Sequence, residues 1–318
     1  MSSVAANNMS YLNPRTVILT GIPRLEHVQF WIGFLFFAVC LVALLGNIVL
    51  LIIIPAERSL HQPMYIFLAM LAATDIGLCA AIAPKMLAIF WFRAYSMAFD
   101  ACLAQLFFIH TLQCMESGIL LAMAFDRYIA ICDPLRHTSV LTPSVLRSLI
   151  VVVVTRAVIL VGLLPSLIKR LHLFHSVQIA HSYCEHMAVV KLAADDVQVN
   201  KIYGLFVGFS ILGFDMTFIL ISYALIFQAV FHLQQKEARI KAFNTCTAHI
   251  FVFLESYPCL FLLFQPPFWS CCSSTHILLS TIYLLLPPAL NPIVYGVKNM
   301  VIRRRVEQIF LLNRGCQQ

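Results

Sequence analysis

Hydrophobic residues in this chain gather into long runs that contain few charges. Seven of these runs are long enough to cross the hydrocarbon core of a bilayer as a helix, which takes about 20 mostly apolar residues. They cover residues 28–54, 62–86, 99–131, 142–165, 197–233, 240–264 and 273–297. The pattern therefore predicts an all-α membrane protein built as a bundle of seven transmembrane helices.

Little chain lies between the runs, so we expect one domain over residues 1–318. It comprises an N-terminal segment (1–27), the seven-helix bundle (28–297) and a tail (298–318), and its longest loop is 166–196. The tail stretch VKNMVIRRRVEQIFLL mixes apolar and basic residues, which predicts a short amphipathic helix on the inner membrane surface. Cys316 beyond it is either a palmitoylation site or an unmodified tail cysteine.

Composition supports the membrane interpretation. Hydrophobic residues make up 61% of the chain and charged residues 11%, whereas soluble domains carry about 25% charged residues. The formal net charge of +7 comes with a basic rim at the ends of the spans. We therefore attribute it to contact with acidic lipid headgroups rather than with nucleic acid.

Basic residues near the ends of the spans predict the orientation of the chain. They flank the short connection between the fifth and sixth spans and follow the last span: Lys236, Arg239, Lys241, Lys298, Arg303, Arg304, Arg305 and Arg314. Lys and Arg in short loops stay on the cytoplasmic side, so we expect an extracellular N-terminus. Asn8 begins the tripeptide Asn-Met-Ser, which is either a glycosylation site on that side or a chance match.

Prolines interrupt two of the spans. Pro258 lies in the sixth, and Pro287, Pro288 and Pro292 lie in the seventh. Each proline removes a backbone donor and bends its helix. These bends are either static kinks or flex points between two shapes of the bundle.

Ionisable residues inside the spans need partners, because a charge at the bilayer centre costs at least about 2.5–3.5 kcal/mol. The candidates are Asp75, Glu116, Asp126, Arg127, Asp215 and Glu255. Asp75 and Glu116 lie in mid-span, with Asn47 and Asn291 at matching depth in the first and seventh spans. These oxygen atoms suit a sodium ion, and the alternative is a protonated, hydrogen-bonded network that holds no ion.

Asp126 and Arg127 stand side by side at the cytoplasmic end of the third span. Adjacent positions on a helix point in different directions and cannot satisfy each other fully, so we expect Arg127 to have donors left over. In one shape of the bundle Asp126 and neighbouring helices hold these donors, and in another shape they are released toward a cytoplasmic partner. The pair is then a two-state element, and the competing interpretation is a plain structural anchor at the interface.

Two of the eleven cysteines, at the start of the third span and in the longest loop, are candidates for a disulfide. Cys102 begins the third span and Cys184 lies in the 166–196 loop, so both face an oxidising compartment where a disulfide can form. Cysteines within spans usually behave as small buried apolar residues.

Five segments together resemble the vertebrate olfactory receptors, which are rhodopsin-like G-protein-coupled receptors. In chain order these are LHQPMYIFLAMLAATDIGL (60–78), MAFDRYIAICDPLRH (123–137), SY (222–223), KAFNTCTAH (241–249) and PPALNPIVY (287–295). FFIHT (107–111) and SYCEHMAVVKLA (182–193) are similar to the class I, or fish-like, branch of that family.

The resemblance implies a plasma-membrane receptor that couples to the stimulatory olfactory G protein and raises cyclic AMP. It also implies a disulfide between Cys102 and Cys184, and an ion site at Asp75 and Glu116. The implied switch for the G protein consists of Asp126, Arg127, Tyr128, Tyr223, Asn291, Pro292 and Tyr295.

The resemblance further implies an odorant cavity among the third, fifth, sixth and seventh spans, with a lid from the loop. The corresponding residues are Ile109, His110, Gln113, His186, Gly208, Leu212, Tyr257, Leu260, Phe261, Phe264, Phe268 and Thr281. Most are apolar or aromatic, so we expect a small hydrophobic volatile ligand oriented by a few polar groups. Each of these residues has ordinary helix packing as its alternative role.

The chain departs from the family pattern in three places. Phe268 stands where many class I receptors carry an arginine, which puts recognition of fatty acids through an ion pair in doubt. Phe174 and Ala194 stand where a second loop cysteine pair is common. Glu255 occupies a position that is usually apolar, and nothing in the sequence explains it beyond a polar contact near Tyr257.

Other classes of membrane protein fit the sequence less well. Transporters and channels commonly show internal repeats or discontinuous half-helices, and neither is evident. A membrane enzyme needs a nucleophile with its base or a metal motif such as H-E-x-x-H, whereas His110 and His249 lie at opposite ends of different spans. A receptor of the same fold for an endogenous metabolite outside the nose remains the alternative.

Overall fold

The protein is described by a computed structural model that covers residues 11–23, 25–231 and 273–315. Its helices in chain order are α1 (Gln29–Ala56), α2 (Pro63–Phe92), α3 (Phe99–Cys132), α4 (His137–Val140), α5 (Pro143–Lys169), α6 (His186–Val190), α7 (Gln198–Gly208), α8 (Phe214–Phe231), α9 (Ser273–Lys298) and α10 (Met300–Gly315). Within this part of the chain, six helical stretches are long and apolar enough to cross a membrane. The sixth predicted span, 240–264, lies outside the described residues.

The observed helices begin within one residue of most predicted spans, because local signals fix their starts. Pro63 and Pro143 occupy the first turns of α2 and α5, where the missing N–H costs nothing. The Thr142 side chain accepts a hydrogen bond from the Val145 N–H at 3.3 Å and so caps α5. The α2 helix runs past the predicted end at 86 until Arg93, whose left-handed backbone (φ 54°) closes it.

The fifth span is not a continuous α-helix. A π-helix over Phe209–Gly213 separates α7 from α8. A π-turn widens the helix by one residue per turn, so the two halves present different faces to the bundle. This break was not predicted from the sequence, because the apolar run through it is uninterrupted.

The α3 helix lies at the centre of the bundle, packed against α2, α5 and α8, while α1 packs against α2 and α9. The α1–α9 contact is close because Gly46 lacks a side chain. A Cβ at that position would lie 2.6 Å from Pro292 Cγ. Large apolar side chains such as Trp31, Phe37 and Ile159 remain exposed on the bundle surface, as expected where the solvent is lipid.

Buried apolar side chains form two clusters stacked along the bundle. We call the end that carries Cys102, Cys184 and the 166–196 loop the loop end, and the end that carries Arg127 and α10 the tail end. Ile82, Leu106 and Val161 belong to the cluster at the loop end. Leu68, Met123 and Ile226 belong to the cluster at the tail end. Polar side chains lie between the two clusters, at the depth where the candidate sites are found.

Short strands of the N-terminal segment pair with strands at the loop end. Strand β1 (Tyr11–Leu12) pairs antiparallel with β4 (Leu173–Phe174). Strand β2 (Thr16–Leu19) lies between β3 (Ser96–Ala98) and β5 (Gln178–Ile179), antiparallel to the first and parallel to the second. We had not predicted these strands, because each is only two to four residues long.

The two positions that lack the second loop cysteine pair are still brought together. Phe174 forms a β-bridge with Ala193, and the Ala194 N–H donates to the Leu173 carbonyl at 2.8 Å. Phe174 is buried and packs edge-on against Phe99. Backbone pairing and aromatic packing therefore close the loop at these positions.

Candidate functional site

A cavity of about 260 Å³ opens within the loop-end half of the bundle. Helices α3, α5, α7 and α9 form its walls and α6 forms its roof. Its lining, which is mostly apolar, consists of Leu78, His110, Gln113, Cys114, Glu116, Ser117, Leu120, Val161, Leu164, Tyr183, Glu185, His186, Met187, Gly204, Leu205, Val207, Gly208, Ile211, Tyr283, Leu284 and Pro287. A concave, largely apolar cavity with a few convergent polar groups is the usual form of a small-molecule site.

The roof of the cavity is fixed to α3 and α2. A disulfide joins Cys102 at the start of α3 to Cys184, which directly precedes the roof. The Gln105 side chain accepts a hydrogen bond from the Cys184 N–H at 3.0 Å and donates to the Ala81 carbonyl at 2.9 Å. The segment after Cys184 is therefore held over the cavity by covalent and hydrogen bonds.

Glu185 is the cap of α6. Its two carboxylate oxygens accept from the backbone N–H groups of Met187 at 2.9 Å and of Ala188 at 2.6 Å. Burial acts to raise the pKa of this carboxyl, but the nearby His181 and the two N–H donors outweigh it, so the pKa lies below its usual value. Glu185 is thus ionised at neutral pH at the edge of the cavity.

His186 lies in the cavity roof with only 4% of its surface exposed. Its ring packs against α7 because Gly204 has no side chain, and a Cβ there would lie 2.9 Å from His186 Cε1. Burial and the neighbouring His110 lower the pKa of His186 to about 4, so the ring is neutral. Its Nε2 atom is buried and has no hydrogen-bond partner among the described residues.

The structure brings four of the predicted ligand residues to the cavity: His110, Gln113, His186 and Gly208. His110 Nδ1 and Gln113 Oε1 are 3.3 Å apart, so α3 presents them as a hydrogen-bonded pair. The side chain of Leu212 lies outside the described residues, as do Tyr257, Leu260, Phe261, Phe264 and Phe268. Their predicted role therefore stays a prediction.

Two predicted ligand residues do not reach the lining of the cavity as the structure describes it. Ile109 is fully buried on another face of α3, in the apolar cluster at the loop end. Thr281 is also buried, and its hydroxyl is bonded to Ser182 at 2.8 Å and to the Ile277 carbonyl at 2.8 Å. Both residues pack the bundle around the cavity, because neighbouring positions on a helix face different directions.

An ion pair that the sequence analysis missed lies at the cavity floor. Arg156 of α5 donates to both carboxylate oxygens of Asp215 at the start of α8, over 2.7 and 2.6 Å. Ser117 of α3 donates to the same carboxylate at 2.6 Å. Asp215 was recognised as an intramembrane charge, but Arg156 was not, although it is a cation in the middle of the fourth span. Together the three residues tie α3, α5 and α8.

Asp75 accepts a hydrogen bond from Asn291 Nδ2 at 2.9 Å, which links α2 to α9. Asn47 Nδ2 of α1 donates to the Pro288 carbonyl at 2.8 Å. That carbonyl is available because Pro292, four residues later, has no N–H to donate to it. The proline in α9 thus creates the acceptor that Asn47 uses.

Oxygen atoms in this layer remain free for another partner. The Oδ1 atoms of Asp75, Asn47 and Asn291 are buried and have no hydrogen-bond partner among the described residues. Glu116 lines the cavity floor on the neighbouring α3. Within the described ranges no group of three or more His, Cys, Asp or Glu side chains is arranged to hold a metal. Any cation here would depend on amide oxygens as well as carboxylates, which fits the donor set expected for sodium.

At the tail end, Asp126 is fully buried and has two side-chain partners, Arg127 and His137. It accepts from Arg127 Nε at 2.8 Å, from Arg127 Nη2, and from His137 Nε2 of α4 at 3.0 Å. This is the arrangement in which Asp126 holds the donors of Arg127, because the long Arg127 side chain turns back onto its neighbour. His137 was missed as a partner, since it lies beyond the span. Tyr223 and Tyr295 are buried in the apolar cluster at the tail end, and Tyr128 packs against that cluster.

A seven-span chain with a roofed cavity at one end and a buried Asp-Arg pair at the other has the architecture of a rhodopsin-like G-protein-coupled receptor. The crystal structure of squid rhodopsin superposes on this chain with a TM-score of 0.72, covering 94% of this chain and 84% of the rhodopsin at 17% identity. This likeness confirms the predicted fold.

The chain belongs to the olfactory receptor family, whose sequence pattern it matches over residues 36–313. Human olfactory receptor 52A1 is 56% identical over 310 residues, which cover 96% of this chain and 99% of that receptor. Human olfactory receptor 52A5 is 53% identical over 96% of this chain and 98% of its own length. Mouse olfactory receptor 51E2 is 48% identical over 94% of each chain. The predicted family is confirmed, and the chain is a multi-pass membrane receptor rather than an enzyme.

Proposed function

We propose that the chain binds small, largely hydrophobic odorants in the loop-end cavity and activates the stimulatory olfactory G protein, which raises cyclic AMP. The cavity itself carries this proposal: it is concave and mostly apolar, and His110, Gln113 and His186 are among its polar groups. Burial of hydrocarbon then provides most of the affinity, at about 25 cal/mol per Å². We place the receptor in the class I branch, on the loop and α3 segments that resemble it.

The α3 helix connects ligand to G protein. His110 at the cavity and Arg127 at the tail end lie on this one helix, and at 1.5 Å per residue they are about 25 Å apart. Ser117 lies between them and bonds to Asp215 of α8. A ligand that shifts α3 against α5 and α8 therefore acts on the network at the cavity floor and on the tail end together.

The tail-end switch has two arrangements in this proposal. In the described arrangement, Asp126 holds both Arg127 and His137. In the active arrangement Arg127 leaves Asp126 and contacts the G protein, while Tyr128, Tyr223 and Tyr295 repack around it. Asn291 and Pro292 let α9 bend during this change. The ligand selects the second arrangement by binding it more tightly.

A sodium ion fits the layer between the two ends. Asp75, Asn47 and Asn291 would hold it through their free oxygens, with Glu116 nearby. When bound, the ion supplies a positive charge that compensates the buried carboxylates and favours the resting shape of the bundle. The alternative is that Asp75 is protonated and the layer holds no ion.

The single receptor domain, residues 1–318, lies in the plasma membrane with its N-terminus and loop end outside. Asn8, which lies outside the described residues, would carry an N-linked glycan there. The α10 helix lies on the inner leaflet, with Ile302 buried and Arg303, Arg304 and Arg305 exposed toward acidic lipid headgroups.

A cyclic-AMP reporter cell tests the proposal. The receptor is expressed with its surface level measured and is exposed to a panel of volatile alcohols, ketones, esters and acids. At least one odorant should raise cyclic AMP in a dose-dependent way, and the response should disappear when the stimulatory G protein is deleted from the cell. A response that persists without any G protein would contradict the coupling.

A further inference from the structure

Three hydroxyl side chains of α9 join its loop-end half to the segments that cover the bundle. We call these segments, the 166–196 loop and the N-terminal residues 11–23, the cover. The contacts are Thr281 Oγ1 with Ser182 Oγ at 2.8 Å, Ser280 Oγ with His181 Nε2 at 3.3 Å, and Ser274 Oγ with the Pro23 carbonyl at 2.5 Å. Together they form what we call the hydroxyl seam.

Stronger bonds attach the cover to α3. The disulfide between Cys102 and Cys184 ties the loop to the start of α3. Strand β2 of the N-terminal residues pairs through its backbone with β5 of the loop and with β3, which lies directly before α3. Among the described residues, no disulfide and no backbone hydrogen bond joins α9 to the cover. The cover is therefore held less firmly to α9 than to α3.

The seam can part at little cost to α9. The hydroxyls of Thr281 and Ser280 already donate to the Ile277 carbonyl, at 2.8 and 2.9 Å. Because a hydroxyl has one hydrogen, Ser182 is the donor in its contact with Thr281. When that contact breaks, both α9 donors stay satisfied and Ser182 turns to entering water. Exchange of a neutral hydrogen bond for one to water changes the free energy by only a small amount.

Two consecutive prolines lie below the seam in α9. Pro287 and Pro288 have no N–H, so the carbonyls four residues before them receive no helical hydrogen bond. Helices bend most readily at such a break. Residues 273–286 can therefore pivot, while Asn291 beyond the prolines stays bonded to Asp75 of α2 at 2.9 Å.

The cavity lies between the seam and these prolines. Tyr183 directly follows Ser182 in the loop, and Tyr283 follows Thr281 by two positions in α9. Both tyrosines line the cavity, and Pro287 lines it at a greater depth. Parting of the seam therefore opens the rim of the cavity, and a molecule inside the cavity touches the part of α9 that moves.

From this arrangement we propose that residues 273–286 of α9 are the gate of the cavity. They move away from the cover at the hydroxyl seam, pivot at Pro287 and Pro288, and admit the ligand. The inference rests on the proposed function, since that function supplies the ligand of the cavity. Entry and exit use the same opening, so the strength of the seam sets both rates.

A chemical test of the gate needs no known odorant. Gly208→Cys places a thiol at the cavity lining, where a Cβ has open space among the described residues. The native cavity thiol is removed with Cys114→Ala. The rate of modification by methyl methanethiosulfonate, a small neutral thiol reagent, is measured on the purified receptor in lipid nanodiscs. The rate of the same receptor without Gly208→Cys is subtracted.

A disulfide across the seam should close the gate. Ser182→Cys with Thr281→Cys allows this bond to form during biosynthesis, because the two oxygens that are replaced lie 2.8 Å apart. Mass spectrometry verifies the bond. Modification of the cavity thiol should then be at least about tenfold slower, since a covalent bond replaces a hydrogen bond that thermal motion breaks. Leu12→Cys with Leu173→Cys is the matched control: these positions face each other on β1 and β4, within the cover, and their disulfide should leave the rate unchanged.

The opposite change loosens the seam. Thr281→Val keeps the shape of the side chain and removes the acceptor of Ser182, so the seam should part more often. The cavity thiol should react about threefold faster or more, as expected for the loss of one neutral hydrogen bond. Thr74→Val is the matched control, since Thr74 is a buried threonine of α2 whose hydroxyl donates to carbonyls of its own helix. It should not change the rate.

The outcomes decide between the gate and another route. Equal rates in the receptor with the seam disulfide and in the control with the disulfide inside the cover would overturn the proposal, because the reagent would then enter elsewhere. If the seam disulfide prevents folding, an unchanged rate for Thr281→Val overturns the proposal on its own. A receptor that shows the expected rates and responds to no odorant would support the gate and count against the proposed function.

Discussion

The ion pair between Arg156 and Asp215 should be one of the strongest single links in the bundle. Asp215 is fully buried and receives two hydrogen bonds from Arg156, at 2.7 and 2.6 Å, and one from Ser117 at 2.6 Å. Asp215→Asn removes the negative charge and keeps the shape. The guanidinium of Arg156, which is about a quarter exposed, then remains in the membrane interior without its counter-charge.

The magnitude follows from the geometry. Two unit charges about 4 Å apart attract by about 4 kcal/mol at an effective dielectric constant of about 20. Removal of one partner of a buried pair typically costs about 3–5 kcal/mol, whereas replacement of both partners by apolar residues is often nearly neutral. Because Arg156 is partly exposed, we expect a loss of about 3 kcal/mol for Asp215→Asn. The double variant Arg156→Met with Asp215→Leu should recover most of it.

Thermal unfolding of the detergent-purified receptor is the assay. At about 2 °C per kcal/mol, Asp215→Asn should lower the Tm by about 6 °C or more, and the double variant should fall by less. Asp100→Asn breaks the exposed pair with Lys169 and should change the Tm by no more than about 2 °C, since surface pairs contribute about 0–1 kcal/mol. The substitutions Arg156→Met and Asp215→Leu are also made singly. A double variant whose loss equals the sum of these two single losses would refute the reasoning, because the two charges would then act independently.

Three further predictions follow from the tail end and the middle of the bundle. Arg127→Ala should abolish odorant-stimulated cyclic AMP at normal surface expression. His137→Phe should raise basal cyclic AMP because Asp126 loses one of its two side-chain hydrogen-bond partners. Unchanged signalling in both variants would argue for a plain anchor. Gly46→Ala should lower the Tm, because its Cβ would lie 2.6 Å from Pro292 Cγ. Overpacking of this kind costs about 1–3 kcal/mol. An unchanged Tm would show that α1 and α9 separate freely. The Tm of wild type should be higher in sodium chloride than in an equal concentration of choline chloride. Asp75→Asn should remove this difference in Tm between the two salts. Equal Tm values for wild type in the two salts would favour the ion-free network.

The spans were predictable because crossing a bilayer demands a length and a composition that any single helix shows on its own. The disulfide partners Cys102 and Cys184 and the tail-end Asp126 and Arg127 came from the family resemblance and from the cost of burying charge. Neither argument needs to know how one helix is rotated against another.

Contacts between pairs of helices could not be predicted from the hydrophobic pattern of a single span. The Arg156–Asp215 pair requires the rotation of α5 and α8 about their axes, which an apolar run does not encode. The π-helix at Phe209–Gly213 changes that rotation within one span. Ile109 and Thr281 were assigned to the cavity for the same reason, since a helix position a single residue away faces another direction.

The contact between Asp126 and His137 illustrates a different limit. His137 lies in α4, outside any span, so a search for charges within the membrane passed over it. The strands at the loop end are too short to show an alternating pattern, and their pairing with the N-terminal segment depends on the closure of the loop by Cys184. Both the Asp126–His137 contact and the strand pairing depend on tertiary structure, which the local sequence does not show.

The central claim is that a ligand in the cavity switches the state of Arg127 and thereby drives nucleotide exchange. The direct measurement is GDP release from purified stimulatory G protein mixed with the purified receptor in lipid nanodiscs, with and without an odorant identified in cells. The account predicts that the odorant accelerates GDP release and that Arg127→Ala removes the acceleration. It is contradicted if the odorant binds and GDP release stays at its basal rate while the same receptor in sealed liposomes passes ions or solute.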